Sequence, residues 1–267
     1  MNPETAATTF TTARSEFTTW SPRLWRPLGE ILTAMARPRS GDRVLDACCG
    51  AGASAIPAAL AVGPGGAVDA VDVAEGLLDE GRREAAALDI TTLRFTAADV
   101  LAWPHNGYDV VQSAFGVFFF PDMDEGSRHL AGLLRRGGRF AVSTWQAGGM
   151  ARLVPIGRSA ALPERPELAE PSAAPNHGAR VDTADKLGSW LSSLGLRDVD
   201  VREVRYVQPL HPDDAWTFYL GSSMRGFLAG LSPEALDRVR IRFLDGLRDA
   251  GIGSLDASAL IGVGHRA

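Results

Sequence analysis

The residues best able to do chemistry stand at the ends of short apolar runs. Asp46 closes the run Val44-Leu45 and leads into Ala47-Cys48-Cys49-Gly50-Ala51-Gly52-Ala53-Ser54. A strand that feeds a glycine loop and then a helix lets backbone approach a ligand with no Cβ in the way. With Ala55 in third place, the loop also meets the G-x-G-x-x-A spacing of a dinucleotide site. A carboxylate facing a pyrophosphate is electrostatically unfavourable, however, whereas it suits a ligand that bears an ammonium and a sulfonium. A tight strand–helix turn without a ligand is the plain alternative. Asp72 ends the run Ala70-Val71-Asp72, about 20 residues past the loop, where an acid can hydrogen-bond ribose hydroxyls. Asp99, in Ala97-Ala98-Asp99-Val100, can accept from an adenine amino group or cap a helix.

Candidate bases are few. His177 lies in Pro175-Asn176-His177-Gly178, His211 precedes Pro212, and Tyr219 sits in an apolar stretch; His177 and Tyr219 are the catalytic candidates. Arg225 could hold an acceptor carboxylate through two hydrogen bonds. The His, Cys and acidic residues are not grouped at metal-ligand spacing, so no metal is expected. Trp20, Trp25, Phe118, Phe119, Trp145 and Trp216 fall in the less regular parts of the chain, with Phe115 beside them. They suit a pocket for a planar or hydrophobic small molecule, or the core of a helical cap.

Strands and helices must hold these residues in place, and the sequence alternates accordingly. Arg43 to Cys48, Ala67 to Val73, Leu93 to Ala97, Tyr108 to Ser113 and Arg139 to Trp145 read as strands. Ala53 to Val62, Ala74 to Leu88 and Asp124 to Leu134 read as the helices between them, with Gly137-Gly138 as the turn before the fifth strand. Such alternation of continuously apolar strands with helices predicts a parallel sheet covered on both faces. Residues 1–41 predict a polar start and a helical cap segment broken by Pro22 and Pro27, and residues 42–146 the ligand-binding core. Residues 147–182, which hold Pro155, Pro163, Pro166, Pro171 and Pro175, predict a lid or insertion. Residues 183–267 supply the rest of the sheet with inserted cap helices: an amphipathic helix ending at Gly195, a strand from Arg197 to Tyr206, helices over 213–230 and from Ser232, and a last strand from Ser258 to Val263. One structural domain is expected.

Composition narrows the functions. The 267 residues carry a formal net charge of -5, and Lys186 is the single lysine. Phosphate-backbone binders carry a basic face, so no nucleic-acid partner is expected. The two cysteines, Cys48 and Cys49, are adjacent and make no disulfide framework. Neither a basic-then-apolar leader nor a run of about 20 apolar residues occurs, which predicts a cytoplasmic protein without a membrane partner. Monomer and homodimer are both compatible with the sequence.

In order and spacing these segments resemble the class I S-adenosylmethionine-dependent methyltransferases, in particular the ubiquinone/menaquinone-biosynthesis-like small-molecule group. Val44-Leu45-Asp46 with Cys49-Gly50-Ala51-Gly52 looks like the first motif of that family, Ala70-Val71-Asp72 like its second-strand acid, and Ala98-Asp99 like its adenine-side motif. Tyr108 to Phe115 resembles the fourth strand, and Leu133-Leu134-Arg135-Arg136-Gly137-Gly138-Arg139 the turn before the fifth, with Arg136 in place of the usual proline. The resemblance implies a Rossmann-like, doubly wound sheet of seven strands, mostly parallel with the last antiparallel, under a helical cap or lid. It implies S-adenosyl-L-methionine as cofactor and S-adenosyl-L-homocysteine as product. Gly50, Ala51 and Gly52 would then lie along the methionine part with Asp46 nearby, and Asp72 would take the ribose diol with Val73 beside the adenine. Asp99 and Val100 would hold the adenine edge, and Ser113 and Phe115 would lie near the sulfonium. The expected reaction is O-, N- or C-methylation of a small aromatic or hydrophobic molecule, of the kind found in secondary metabolism.

One departure matters. Many relatives carry a His pair after the fourth strand, where this chain has Phe118-Phe119-Phe120-Pro121-Asp122. The obvious general base is therefore missing. Other chemistry on the same cofactor, such as a cyclase or a binding role, is the alternative. A nicotinamide-dependent dehydrogenase is a weaker one, because Lys186 lies far in sequence from each tyrosine.

Overall fold

Branched and small apolar residues dominate five runs that form the first five strands: β1 (Arg43–Ala47), β2 (Ala67–Asp72), β3 (Leu93–Ala97), β4 (Tyr108–Ala114) and β5 (Leu134–Trp145). The structure is a computed structural model that describes residues 3–170 and 176–267. Pro171 and Pro175 of the expected lid lie outside the described residues. Three helices connect the strands: α4 (Ala55–Val62), α5 (Glu75–Ala87) and α6 (Met123–Gly132). Asp122 starts α6 by accepting from the backbone N–H groups of Asp124 and Glu125, which satisfies two donors that a helix start leaves free.

The sheet order is β3-β2-β1-β4-β5-β9-β6, with β6 (Leu196–Val204) and the final β9 (Ala259–Arg266). β9 runs antiparallel to both of its neighbours, whereas β1 to β5 pair in parallel. This is the Rossmann-like, doubly wound sheet of seven strands. The chain winds outward from β1 through β2 to β3 and returns to β4 on the other side of β1. Open α/β sheets bind ligands in the crevice outside the carboxyl ends at such a reversal.

Helices α3 (Trp25–Ala36) and α8 (Ala184–Ser193) lie over opposite faces of the sheet, α3 beside α4 in one apolar cluster and α8 beside α6 in the other. A third cluster builds the cap from α7 (Leu153–Ala161), α9 (Pro212–Leu220) and α10 (Pro233–Asp249), together with Trp20, Leu24 and Leu28. A small two-stranded sheet, β7 (Val207–Pro209) with β8 (Ser254–Asp256), joins this cap to the main sheet. No described helix is long and apolar enough to cross a membrane.

Four features differ from the pattern read in the sequence. The amino-terminal residues expected as a polar start form helices α1 (Pro3–Thr12) and α2 (Arg14–Trp20). Pro27 does not break α3, because it lies in the first turn, where the missing N–H has no partner to lose. Gly137, expected in a turn before β5, lies within it: Tyr108 pairs with Leu134 and Val110 with Arg139, so the glycine at φ +72° sits in a bulge. The helix expected over 213–230 stops at Leu220, since Gly221 approaches α2 so closely that a Cβ there would stand 2.7 Å from the Glu16 carbonyl carbon.

Candidate active site

The loop between β1 and α4 carries three left-handed residues: Cys48 at φ +58°, Gly50 at +53° and Gly52 at +86°. Glycine accepts this conformation freely, and a side chain does so at a cost of about 1 kcal/mol or more. At Gly52 space adds a second demand, because a Cβ would lie 2.9 Å from the Phe95 ring. A further left-handed residue, Phe115 at φ +56°, follows β4 directly. Strained non-glycine backbone at the carboxyl ends of two adjacent strands is the pattern of a functional site.

Carboxylates organise the loop. Asp72 accepts from the Gly50 N–H and from the Ala74 N–H, both at 2.8 Å, one on each oxygen, and so ties the glycine loop to the end of β2. Burial pushes its pKa up, while the backbone N–H groups of Ala74, Gly50 and Val73 pull it back. Asp46 is fully buried beneath the loop. The Gln112 amide donates to its Oδ2 at 3.1 Å and to the Ser54 carbonyl at 3.0 Å, and Thr33 donates to the same carbonyl at 3.1 Å. Burial lifts the Asp46 carboxyl to about 7, and Ser54 and Gln112 restrain the rise. Its Oδ1 has no hydrogen-bond partner among the described residues, nor does the Ser113 hydroxyl at the end of β4. Gly116 presses against that hydroxyl and against Cys48, where a Cβ would meet them at 2.7 and 2.5 Å. Burial and the charges of Asp72 and Asp46 push both cysteine thiols up, so neither is a thiolate nucleophile at neutral pH.

The amino-terminal helices lie across these strand ends. Phe17 of α2 reaches the glycine loop: a Cβ on Gly50 would be 3.7 Å from its ring. Phe17 stacks on Trp25 at 4.8 Å between centroids, Phe115 stacks on Trp145 at 3.8 Å, and Trp25 stands 6.4 Å from Phe115 and 6.1 Å from Trp145. Phe10 of α1 packs edge-on against Phe119 at 5.7 Å. The outcome is a wall of aromatic rings beside the loop, with the Trp25 indole N–H buried and without a partner among the described residues.

Not every expected residue joins this wall. Trp20 is buried in the cap against Phe218, and Trp216 packs there on Tyr219 and Phe243. Tyr219, expected as a base, is a packing residue: it is fully buried and its hydroxyl donates to the Gly157 carbonyl at 2.7 Å, with burial pushing its pKa further above the usual tyrosine range. His177 is buried with Nε2 3.3 Å from the Pro121 carbonyl, which ties the segment around residue 177 to the loop after β4. His211 is exposed at the start of α9, and Arg225 bonds the Leu220 carbonyl and Glu16. Asp99 is exposed and caps a short turn through the Leu101 N–H, while Val73 is half-buried and Val100 is buried in the core. Of the Phe run, Phe120 joins the core, Phe118 bridges two apolar clusters, and Phe119 faces Phe10. Gln112, Thr33, Phe10 and Phe17 were not among the expected residues. A glutamine inside the buried run Val110-Val111-Gln112-Ser113 was the one available signal, since a buried amide needs partners.

Residues 18–148 match the model of the ubiE/COQ5 methyltransferase family. The aklanonic acid methyltransferase of Streptomyces sp. (strain C5) is 36% identical over 120 residues, 44% of this chain and 54% of that protein. The nocamycin O-methyltransferase of Saccharothrix syringae is 36% identical over 121 residues, 45% of this chain and 43% of that one. The chain thus spans about half the length of the curated relatives it matches. The crystal structure of the YcgJ protein from Bacillus subtilis shares the fold, with a TM-score of 0.58 at 18% identity over 90% of this chain and 99% of that one. The matched stretch contains α3, β1 with its glycine loop, the Asp72 clamp, β4 with Phe115, and β5 as far as Trp145, and over this stretch the chain is similar to the ubiE/COQ5 methyltransferase family.

Proposed function

We propose that this chain transfers a methyl group from S-adenosylmethionine to a small, planar, largely apolar molecule. The observation that carries this reading is the Asp72 clamp beside the left-handed loop. Each Asp72 oxygen accepts one backbone N–H and keeps lone pairs for a ribose diol. The residues fit such a cofactor: Gly50 and Gly52 keep the loop free of side chains, and the buried Asp46 oxygen without a partner among the described residues offers an acceptor under the methionine end. Asp99 and Val73 border the adenine side in this reading.

The cofactor supplies an activated methyl group whose departure leaves a neutral thioether. No residue therefore has to protonate a leaving group. The chain's own work is to orient the acceptor and exclude water, which the rings of Trp25, Phe115 and Trp145 and the overlying α1 and α2 can do. His177 is held at the Pro121 carbonyl through Nε2, with Nδ1 buried and without a partner among the described residues, and the Tyr219 hydroxyl is committed to Gly157; neither ring is part of the aromatic wall. An acceptor already ionised at neutral pH, such as a carboxylate or a phenol acidified by its ring substituents, needs no base from the wall.

Incubation with S-adenosylmethionine and a panel of planar phenols and aromatic carboxylates tests the proposal, with S-adenosylhomocysteine formation as the readout. Acceptor-dependent product supports it. Cofactor binding without product on any acceptor would favour the rival in which the bound cofactor serves other chemistry.

A further inference from the structure

The aromatic wall contains one polar group that its surroundings cannot satisfy. The Trp25 indole N–H is buried and has no hydrogen-bond partner among the described residues. Buried indoles normally find an acceptor, because a desolvated N–H left alone is costly. Its aromatic neighbours Phe17, Phe115 and Trp145 carry no side-chain N or O atom that could accept from it. Trp25 is also the first residue of α3, so a helix fixes its backbone and the ring does not swing freely to seek a partner. One aromatic ring separates it from the glycine loop: Phe17 lies 3.7 Å from the Cβ position of Gly50 on one side and stacks on Trp25 on the other. This places the indole beyond the cofactor loop, beside the stacked Phe115–Trp145 pair.

We propose that the Trp25 N–H donates a hydrogen bond to an oxygen of the methyl acceptor and thereby selects planar molecules that carry a carbonyl, carboxylate or phenolate oxygen on an aromatic ring system. Phe115 and Trp145 read the flat apolar part, and Trp25 reads the oxygen. Trp25 is a specificity-determining residue in this arrangement, and it takes no part in moving a proton. The inference rests on the methyltransferase reading of the site.

The test uses 2-naphthoate as probe and 2-methylnaphthalene as its oxygen-free counterpart, titrated by calorimetry into the full chain saturated with S-adenosylhomocysteine. Trp25→Phe keeps a ring and removes the N–H. It is expected to weaken 2-naphthoate about tenfold, the worth of a single hydrogen bond to a charged acceptor. It should change 2-methylnaphthalene less than about twofold and leave S-adenosylhomocysteine affinity unchanged. In the wild type, the indole N–H proton resonance of Trp25 should shift on adding 2-naphthoate and stay in place on adding 2-methylnaphthalene, a reading that does not depend on how the variant folds. Equal weakening of both probes, an unmoved resonance, or no binding of 2-naphthoate by the wild type overturns the proposal. Loss of S-adenosylhomocysteine affinity alone would assign the N–H to the cofactor and overturn it as well. Failure of the wild type to bind S-adenosylhomocysteine would instead sink the methyltransferase reading beneath it.

Discussion

At the scale of single residues, Asp46 makes the most specific claim. Its carboxyl lies near 7 in the folded chain because burial penalises the charge, against about 4 when exposed. The folded state therefore holds the proton more tightly than the unfolded state. Stability conferred through this group is complete below about pH 4 and is lost as pH rises through 7, by up to about 4 kcal/mol. Urea unfolding at pH 5 and pH 8 checks the sign: relative to Asp46→Asn, the wild type should lose stability between the two, and an unchanged difference would contradict the burial argument. Tyr219 gives a contrasting expectation. With its hydroxyl committed to the Gly157 carbonyl inside the cap, Tyr219→Phe should cost about 1–3 kcal/mol of stability and leave kcat within about twofold. A fall in kcat of a hundredfold at unchanged stability would restore the catalytic role read from the sequence. That reading failed because an apolar stretch with one tyrosine looks the same whether the hydroxyl faces a pocket or a carbonyl 62 positions away.

At the scale of elements, the amino-terminal helices meet the strand ends at backbone contact distance. A Cβ on Gly29 of α3 would lie 2.3 Å from the Ala53 carbonyl oxygen, at the end of the glycine loop. Gly29→Ala should therefore push α3 off the loop, cost about 1–3 kcal/mol, and weaken cofactor binding by about tenfold or more in calorimetry. Gly221→Ala meets the Glu16 backbone instead. It should loosen α2 against the cap, at similar cost in stability, with a smaller effect on cofactor affinity. Equal effects on affinity would mean that the two contacts do not act separately. The five strands and three helices between Arg43 and Trp145 were legible in the sequence because each is a local pattern of period 2 or 3.6 bounded by turn residues. The contact of α1 and α2 with the site was not. Phe10 and Phe17 are isolated rings in a polar stretch, and their partners Phe119 and Trp25 are chosen by packing across the fold.

At the scale of the whole molecule, core, cap and amino-terminal helices converge on one region. Ion pairs from α2 and the turn after it reach both sides: Arg14 to Glu80 on α5, Glu16 to Arg225, and Arg23 to Asp214 on α9. Such partly exposed pairs contribute little each, so packing must hold the arrangement. A ligand bound where these parts meet should stabilise the chain as a unit. S-adenosylhomocysteine at 100 times its Kd should add about 2.7 kcal/mol and raise Tm by roughly 5–10 °C. The central claim, that the Asp72 clamp and the glycine loop hold S-adenosylmethionine, is tested most directly by calorimetric titration of S-adenosylmethionine into the wild type and Asp72→Asn, with a nicotinamide dinucleotide as control. Micromolar binding is expected for the wild type, at least about a hundredfold weaker for Asp72→Asn as two charge-assisted hydrogen bonds are lost, with no comparable binding of the nicotinamide. Equal binding by both proteins, or preference for the nicotinamide, would contradict it.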